Sequence, residues 1–203
     1  MTGIAAEKVE KTKAELLQAA RKVLTEHGFA GLSTRRVAEA AQTQMSQIRY
    51  HFGSKEGMIL ALFEYLNDGL IERQAKVFQA PGLSVSEKWD LACDYLEEDL
   101  ASGYVRVLQE LIAAGWSNPA VGAAMRAALA QWQRLIRALA EELADRRPDG
   151  LGPFRTQDFA ALVSAAFIGA ETQILLGVSE DDLPLRAALR RVGDLIRKIE
   201  EES

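Results

Sequence analysis

The sequence predicts an all-α fold in which an N-terminal three-helix head is joined to a larger C-terminal helical bundle. Three observations support this fold class. Apolar residues recur at helical spacing along most of the chain, no run of alternating β-branched residues predicts a strand, and all five prolines lie at or after Pro81. The absence of proline before position 81 and of strand patterns indicates helices throughout.

Composition is that of an ordinary soluble globular chain. The 203 residues are 48% apolar and 26% charged. Cys93 is the single cysteine, which excludes an intrachain disulfide and a thiolate metal cluster. The charged first residues predict no signal peptide, and the longest uncharged run, 159–170, is shorter than the roughly 20 residues that span a bilayer. We therefore expect a cytoplasmic protein with no membrane span, no cofactor and no metal.

Nine helices are predicted, and most have a capping or breaking residue at an end. Gly28 is expected to end the first helix as its C′ residue. Ser33, Ser54 and Thr156 are expected to be N-caps, and Ser84 with Glu87 forms a capping-box pattern. The predicted helices are 8–27, 33–41, 43–51, 54–79, 84–101, 104–116, 119–146, 156–176 and 183–201.

Charge divides the chain unevenly. Residues 1–56 hold nine Lys/Arg and six Asp/Glu, a net charge of +3, whereas the remainder carries -8 of the total of -5. A positive head on a negative body favours a polyanionic partner for the head alone, although an excess of this size also arises by chance.

The second and third predicted helices, joined by a tight turn, form a helix-turn-helix pattern. At about 100° per residue, Ile48 and Phe52 share one side of the third helix, with Met45 beside them. This side would pack against Val37 and Ala41 of the second helix. The opposite side would then be free to enter a DNA groove.

That opposite side carries Ser46 and Tyr50, flanked by Gln47 and Arg49. Gln and Arg can bond bidentately to adenine and guanine, and Ser to several base edges. Tyr and His can donate to phosphate oxygens, and a lysine at a helix start suits a phosphate as well. The alternative is that these are solvated polar residues of two small helices. By this reasoning, Arg35, Met45 and Arg49 are predicted to contact DNA.

The stretch from Lys13 to Leu62 resembles the DNA-binding region of the tetracycline-repressor (TetR) family of bacterial transcription regulators. The matching segments read AARKVLTEHGFAGLSTRRVAEAA and QIRYHFGSKEGMILALFEYL, and residues 50–56, YHFGSKE, are the strongest signature. The resemblance implies a homodimeric repressor with a DNA-binding domain over residues 1–56 and a ligand-binding and dimerisation domain over 57–203. It also implies release from a palindromic operator by a small-molecule effector that moves the fourth helix. By motif position it implies DNA contacts at Thr34, Gln44, Ser46, Gln47, Tyr50, His51 and Lys55.

The chain departs from the family pattern at the turn and in the recognition helix. Gln42 stands where the family usually has Gly, and Thr43 and Gln44 stand where Val and Ser usually follow. The family's aromatic pair is here Arg49-Tyr50. The departures at Gln44 and Arg49 predict an operator unlike those of better-matched relatives.

The last two predicted helices are the candidates for a dimer interface. The eighth is apolar on nearly every side and therefore needs cover on every side, either from a second subunit or from a monomer's own core. The ninth has an apolar stripe opposite a basic side. The predicted interface residues are Phe159, Val163, Ala166, Phe167, Ala170, Ile174, Leu189, Val192 and Ile196.

The middle helices contain the candidates for an effector pocket, since such pockets are mostly apolar with a few polar anchors. The predicted ligand-binding residues are Phe63, Trp89, Cys93, Trp116, Met125, Trp132, Phe167 and Glu171. Glu171 is the candidate polar anchor. Core packing is the alternative for the aromatics, and a salt bridge or an exposed place for Glu171. The acidic run 97–99 is expected to be a solvated face.

Two other functions are alternatives to transcription regulation. An enzyme is disfavoured because His27 and His51 lie on separate predicted helices and no catalytic or phosphate-binding motif is present. An all-helical protein-interaction adaptor without DNA binding is disfavoured by the basic head and the YHFGSKE signature.

Overall fold

A computed structural model describes residues 2–148 and 150–202, with the side chains of residues 2–5 left out. The described residues form nine α-helices and no strand, which confirms the predicted all-α class. The helices are α1 (Thr2–Gly31), α2 (Thr34–Ala40), α3 (Met45–Phe52), α4 (Lys55–Phe78), α5 (Val85–Ser102), α6 (Tyr104–Gly115), α7 (Pro119–Ala144), α8 (Thr156–Leu175) and α9 (Leu185–Glu201).

Local capping chemistry accounts for most of these boundaries. The Ser33 side chain accepts a hydrogen bond from the Arg36 backbone at the start of α2, as predicted. Before α5, Ser84 and Glu87 bond reciprocally at 3.2 and 2.7 Å, which confirms the capping box. Gly28 has a φ of 67° and interrupts α1 there, but the helix resumes for a short turn to Gly31, beyond the predicted end.

The predicted N-cap of α8 is wrong by one residue. Thr156 is the first helical residue, and Arg155 occupies the cap position. The Asp158 carboxylate accepts a hydrogen bond from the Arg155 backbone N–H at 3.1 Å and also pairs with its guanidinium at 2.8 Å. The Asp158 carboxylate in the first helical turn thus satisfies the backbone N–H of the cap residue, which is the N3 half of a capping box.

The chain divides into two compact units. Unit 1 comprises Met1–Asp68 with Ala101–Glu110, and unit 2 comprises Gly69–Leu100 with Leu111–Ser203. Three helices, α4, α5 and α6, contribute residues to both units. The first unit thus extends beyond residue 56, while the assignment of DNA binding to 1–56 and of ligand binding and dimerisation to 57–203 stays a prediction.

Unit 1 has an apolar core drawn from α1 to α4 and from the start of α6. Phe63 of α4 stacks on Tyr104 of α6 with ring centroids 5.7 Å apart. The Tyr104 hydroxyl also forms a 3.0 Å hydrogen bond with the Asn67 side chain, which satisfies two buried polar groups. Other fully buried side chains are Leu16, Leu24, Leu32, Val37, Ile48, Met58, Leu62 and Val105.

Unit 2 is built around a larger core with an aromatic centre. Trp89 of α5 and Trp132 of α7 each pack edge-on against Phe167 of α8, with centroids 5.7 Å apart. Phe78 at the end of α4 lies 6.2 Å from Trp132. The Trp89 indole donates to the Leu189 carbonyl at 2.7 Å, which ties α5 to α9.

The acidic run 97–99 is not uniformly solvated, so that expectation is wrong for its last member. Asp99 is buried and pairs with Arg73 of α4 at 2.6 Å. Burial raises the pKa of Asp99 to about 6, and the hydrogen bond from Arg73 lowers it in part. The same guanidinium bonds Glu98 and lies 4.2 Å over the Tyr95 ring, so one side chain of α4 holds three residues of α5.

Candidate nucleic-acid interface

The turn between α2 and α3 keeps a left-handed residue although no glycine is present. Gln42 has a φ of 52°, the one positive φ of a non-glycine residue among those the structure describes. The Thr43 N–H bonds the Ala38 carbonyl and the Gln42 N–H bonds the Glu39 carbonyl, at 2.9 and 3.1 Å. This is the Schellman pattern that satisfies the last carbonyls of a helix. The hydrogen bonds preserve the turn that the family usually makes with Gly.

One side of α3 is buried and the other is exposed. Ile48 is 1% exposed and anchors the helix in the core of unit 1. Phe52 on the same side is half-buried. Tyr50, on the opposite side, is 73% exposed. The predicted outward direction of this side is therefore confirmed.

The remaining exposed residues of α3 surround Tyr50. Met45 is 55% exposed, so its predicted place beside Ile48 in the packed face is wrong, while its position at the surface leaves it available to a partner. The Ser46 hydroxyl donates to Gln44 Oε1 at 3.4 Å, a long contact that a partner can displace. The exposed residues predicted to contact DNA are Arg35, Gln44, Met45, Ser46, Gln47, Arg49, Tyr50 and Lys55.

The other two predicted contacts, Thr34 and His51, are half-buried. Thr34 opens α2, and its neighbour Arg35 is exposed and paired with Glu39 at 2.9 Å. The His51 ring lies edge-on to Tyr50 with centroids 5.0 Å apart. His51 thus supports the exposed tyrosine from the side.

The junction between α3 and α4 is the tightest backbone contact of this region. Gly53 ends α3 with a φ of 74°, and Ser54 caps α4 by accepting from the Gly57 N–H at 3.0 Å. A Cβ at Gly57 would lie 2.1 Å from the Phe52 carbonyl oxygen, so only glycine fits there. The sequence reasoning missed Gly57. Its place three residues after the capping serine is the signal that could have identified it.

This arrangement presents hydrogen-bonding groups on a narrow exposed helix. Gln47 and Arg49 offer amide and guanidinium groups that match base edges in a major groove. Lys55 lies at the start of α4, where the positive end of the helix dipole also favours an anion. The geometry suits insertion of α3 into duplex DNA with Lys55 toward the phosphates.

Comparison with known proteins agrees with this geometry. Residues 16–62 match the sequence profile described as bacterial regulatory proteins, tetR family. This segment of the chain therefore resembles the DNA-binding segment of tetR-family proteins. The matched segment includes α2, α3, the turn between them and the first two turns of α4. The exposed helix α3 therefore lies within the segment that matches the tetR family.

Curated relatives match about a third of the chain. The transcriptional repressor NicS of Pseudomonas putida is 30% identical over 76 residues, 37% of this chain and 36% of that protein. The transcriptional repressor AcnR of Corynebacterium glutamicum is 39% identical over 62 residues, 30% of this chain and 33% of that protein. The aligned part of the chain spans about a third of the length of each.

A solved structure extends the fold likeness to nearly the whole chain. The crystal structure of a TetR transcription regulator from Haloarcula marismortui aligns with a TM-score of 0.74 at 17% identity, over 92% of this chain and 96% of that one. At this identity the likeness establishes the fold, including the C-terminal helical part.

The predicted ligand-binding residues fall into three groups. Trp89, Cys93, Trp132 and Phe167 belong to the aromatic core of unit 2. Burial raises the pKa of the Cys93 thiol to about 11, so the thiol stays protonated at neutral pH.

The second group lies apart from this core. Phe63 is buried in unit 1, stacked on Tyr104, and Trp116 is 84% exposed at the end of α6. Neither residue belongs to the aromatic core of unit 2, and their assignment to an effector pocket stays a prediction. Helical periodicity identified them as apolar positions without telling which face is covered.

The third group is Met125, which is buried in α7, and Glu171, which is half-buried in α8 and takes part in an interaction of its own. One open cleft of about 700 Å³ lies beside Phe78, the α4–α5 loop, Glu142 and Arg146, and none of the predicted ligand residues lines it.

Most of the residues predicted for the dimer interface contact the core of unit 2, and the interface itself stays a prediction. Val163, Phe167, Ala170, Leu189 and Ile196 are buried within the core of unit 2, so they pack inside the protomer. Phe159, Ile174 and Val192 pack against that core and are partly buried. Of the predicted residues, Ala166 is the exposed one. Leu162 of α8 and Leu195 of α9, which are not among the predicted residues, are 59% and 58% exposed.

The left-handed turn gives a stability prediction. A non-glycine residue at positive φ costs about 1–2 kcal/mol, and glycine loses about 0.5–1 kcal/mol more entropy on folding. Gln42→Gly should therefore raise the free energy of unfolding by up to about 1 kcal/mol in urea titrations. Gln44→Gly is the matched control, because Gln44 has an ordinary φ of -96° and its replacement should be destabilising. If Gln42→Gly instead lowered the free energy of unfolding, the proposed backbone strain at Gln42 would be contradicted.

The α3–α4 junction gives a second prediction. Gly57→Ala should lower the free energy of unfolding by about 1–3 kcal/mol, because the added methyl group meets backbone. Gly69→Ala in the same helix meets nothing within 4 Å and should instead be stabilising by about 0.5–1 kcal/mol. Equal effects of the two changes in urea unfolding would contradict the proposed packing.

Proposed function

We propose that this protein is a transcriptional repressor that binds a palindromic DNA operator as a homodimer and leaves it when a small molecule binds. The observation that carries the proposal is the exposed face of α3 around Tyr50, within the tetR-family segment. The relatives NicS and AcnR, which match about a third of this chain, are named as transcriptional repressors.

The operator-reading residues are proposed from the chemistry of that face. Gln47 and Arg49 read base edges, since their amide and guanidinium groups pair bidentately with adenine and guanine. Tyr50 and Lys55 hold phosphates and fix the register of α3 in the groove. The excess positive charge of residues 1–56 attracts the duplex to this end of the chain.

A homodimer is proposed from the uncovered apolar side of α8. The helix is apolar enough to cross a membrane by length and composition, yet only 33% of its most apolar window is buried in the protomer. Leu162, Ala165 and Ala166 leave an exposed apolar strip along it. A second copy would cover this strip by twofold symmetry, because the same surface serves on both subunits.

The neighbouring helix α9 supports the same surface. Two arginines on its basic side form salt bridges within unit 2. Arg190 pairs with Asp94 at 2.6 Å, and Arg197 pairs with Asp90 at 3.0 Å. Leu195 is left as an exposed apolar side chain. Two heads held by such a dimer would meet successive major-groove segments about 34–36 Å apart.

The effector response is proposed for the helical C-terminal part. The aromatic centre of unit 2 offers an apolar environment for a small molecule. An effector that prefers a geometry incompatible with DNA shifts the population away from the bound state. Helix α4 contains residues of both units and is the proposed element of this coupling.

The DNA interface is tested by three single variants on sites selected from random duplexes. Lys55→Ala should weaken binding to all selected sites and reduce the slope of log affinity against log salt by about one, because one phosphate contact is lost. Tyr50→Ala should weaken binding with little change of slope. Gln47→Ala should relax preference at one base pair, worth about 1–3 kcal/mol.

Fluorescence anisotropy at several salt concentrations measures these effects, and Gln133→Ala, exposed on α7, is the control. Unchanged affinity, slope and preference in all three folded variants would refute the interface.

The dimer surface is tested by charge insertion. Leu162→Asp and Leu195→Asp should convert the dimer to monomers, because each would bury an unpaired carboxylate at the subunit contact. Light scattering at micromolar concentration gives the mass. Gln133→Asp, also on an exposed helix face, should remain dimeric. A monomeric wild-type chain would refute the proposal, as would dimers that survive both leucine changes.

A further inference from the structure

One residue of the turn between α2 and α3 combines a strained backbone with an exposed side-chain amide. Gln42 has a φ of 52°, a left-handed conformation that costs an L-residue more than it costs glycine. The side chain is exposed, and its amide forms no hydrogen bond with any residue that the structure describes. The fold therefore gains nothing from the amide that would compensate for the strain.

The backbone of Gln42, by contrast, has a clear structural role. Its N–H bonds the Glu39 carbonyl at 3.1 Å, and the N–H of Thr43 bonds the Ala38 carbonyl at 2.9 Å. Both hydrogen bonds involve main-chain atoms alone, so glycine at position 42 would keep them without the steric cost. The turn thus explains the left-handed backbone but not the glutamine side chain. Strain of this kind clusters at functional sites, which directs attention to what the amide can bind.

The position of the turn in the helix-turn-helix limits what the amide can reach. The second helix of such a motif enters the major groove with its N-terminal residues at the bases, while the first helix crosses the sugar-phosphate backbone. Gln42 lies two residues before Gln44, the N-cap of α3, so their Cα atoms are at most about 7 Å apart. The amide is therefore tethered between the base-reading end of α3 and the helix that crosses the phosphates.

We propose that the Gln42 amide donates a hydrogen bond to a DNA phosphate at the edge of the major groove. The NH₂ group of a glutamine side chain has two donors, and phosphate oxygens accept hydrogen bonds from such amides in protein–DNA interfaces. Contacts of this kind fix the register of a recognition helix without reading sequence. The inference rests on the proposed operator binding and adds a positioning residue outside α3.

Two loss variants separate the amide from the turn. Gln42→Ala removes the amide and keeps a non-glycine residue at the left-handed position, whereas Gln42→Gly removes both the amide and the strain. We expect each to bind every selected DNA site about fivefold more weakly, the loss of one net hydrogen bond. The slope of log affinity against log salt should not change, because a neutral amide displaces no counterion.

Fluorescence anisotropy with the full chain at several salt concentrations measures these affinities, and urea unfolding of the same samples measures stability. Gln42→Gly should be more stable than the wild type and yet bind DNA more weakly, an opposition that a purely structural role of Gln42 would not produce. Wild-type affinity in either variant would overturn the contact. A loss confined to one base pair of the selected sites would overturn its assignment to a phosphate.

A gain variant tests the same contact without removing a donor. Gln42→Lys places an ammonium group at the proposed phosphate and keeps a non-glycine residue in the turn. It should bind selected sites more tightly at low salt and steepen the salt slope by about one. Gln133→Lys, exposed on α7, adds the same charge elsewhere and should leave the slope unchanged. An unchanged slope in Gln42→Lys, or an equal change in Gln133→Lys, would overturn the proposal.

The wild type and Tyr50→Ala, titrated alongside, separate this inference from the proposed function. If the wild type binds no selected site, operator binding and the phosphate contact are both refuted. If the wild type binds and Tyr50→Ala weakens binding while the Gln42 variants behave as the wild type does, only the contact of Gln42 is refuted.

Discussion

The burial of Ile48 is the constraint on which the functional reading depends. Because successive helical residues turn by about 100°, fixing this one side chain in the core sets the direction of every other residue of α3. The side chains of Gln47, Arg49 and Tyr50 must then point into solvent. The turn at Gln42 and the close approach at Gly57 hold the two ends of the helix, so its exposed face is presented on a rigid support.

The fold was largely predictable because helix ends are decided locally. Serine hydroxyls at positions 33, 54 and 84 accept from backbone within three residues, and such short-range chemistry is readable from sequence. The same locality explains the success with α3, whose two sides differ in polarity. The cap at Arg155 was missed because arginine offers no acceptor for the first helical N–H groups, and the helix start is marked instead by Asp158 three residues later.

The rest was not predictable because it depends on neighbours distant in sequence. Leu189 and Leu195 belong to the same apolar stripe of α9, yet one is buried and the other exposed. Asp99 looked like part of a solvated run, and only the partner 26 residues earlier, Arg73, explains its burial. Periodicity describes one helix at a time and carries no information about which side a neighbouring helix covers.

Unit 2 has salt bridges on its surface and a few buried polar atoms without a hydrogen-bond partner. The pairs that link α5 and α9 are partly exposed, and each adds little to stability, but together they fix the helix register. Inside, Gln74 and Ser164 retain polar atoms at a cost in stability.

The central claim is that the outward face of α3 lies in the major groove of a twofold-symmetric site. Hydroxyl-radical footprinting of the protein on its selected DNA tests this most directly. The account predicts two protected patches, symmetric about a centre and separated by one helical turn of about 10 base pairs or a multiple of it, both lost in the Tyr50→Ala, Lys55→Ala double variant. Absence of protection, or a footprint that this double variant leaves intact, would contradict it.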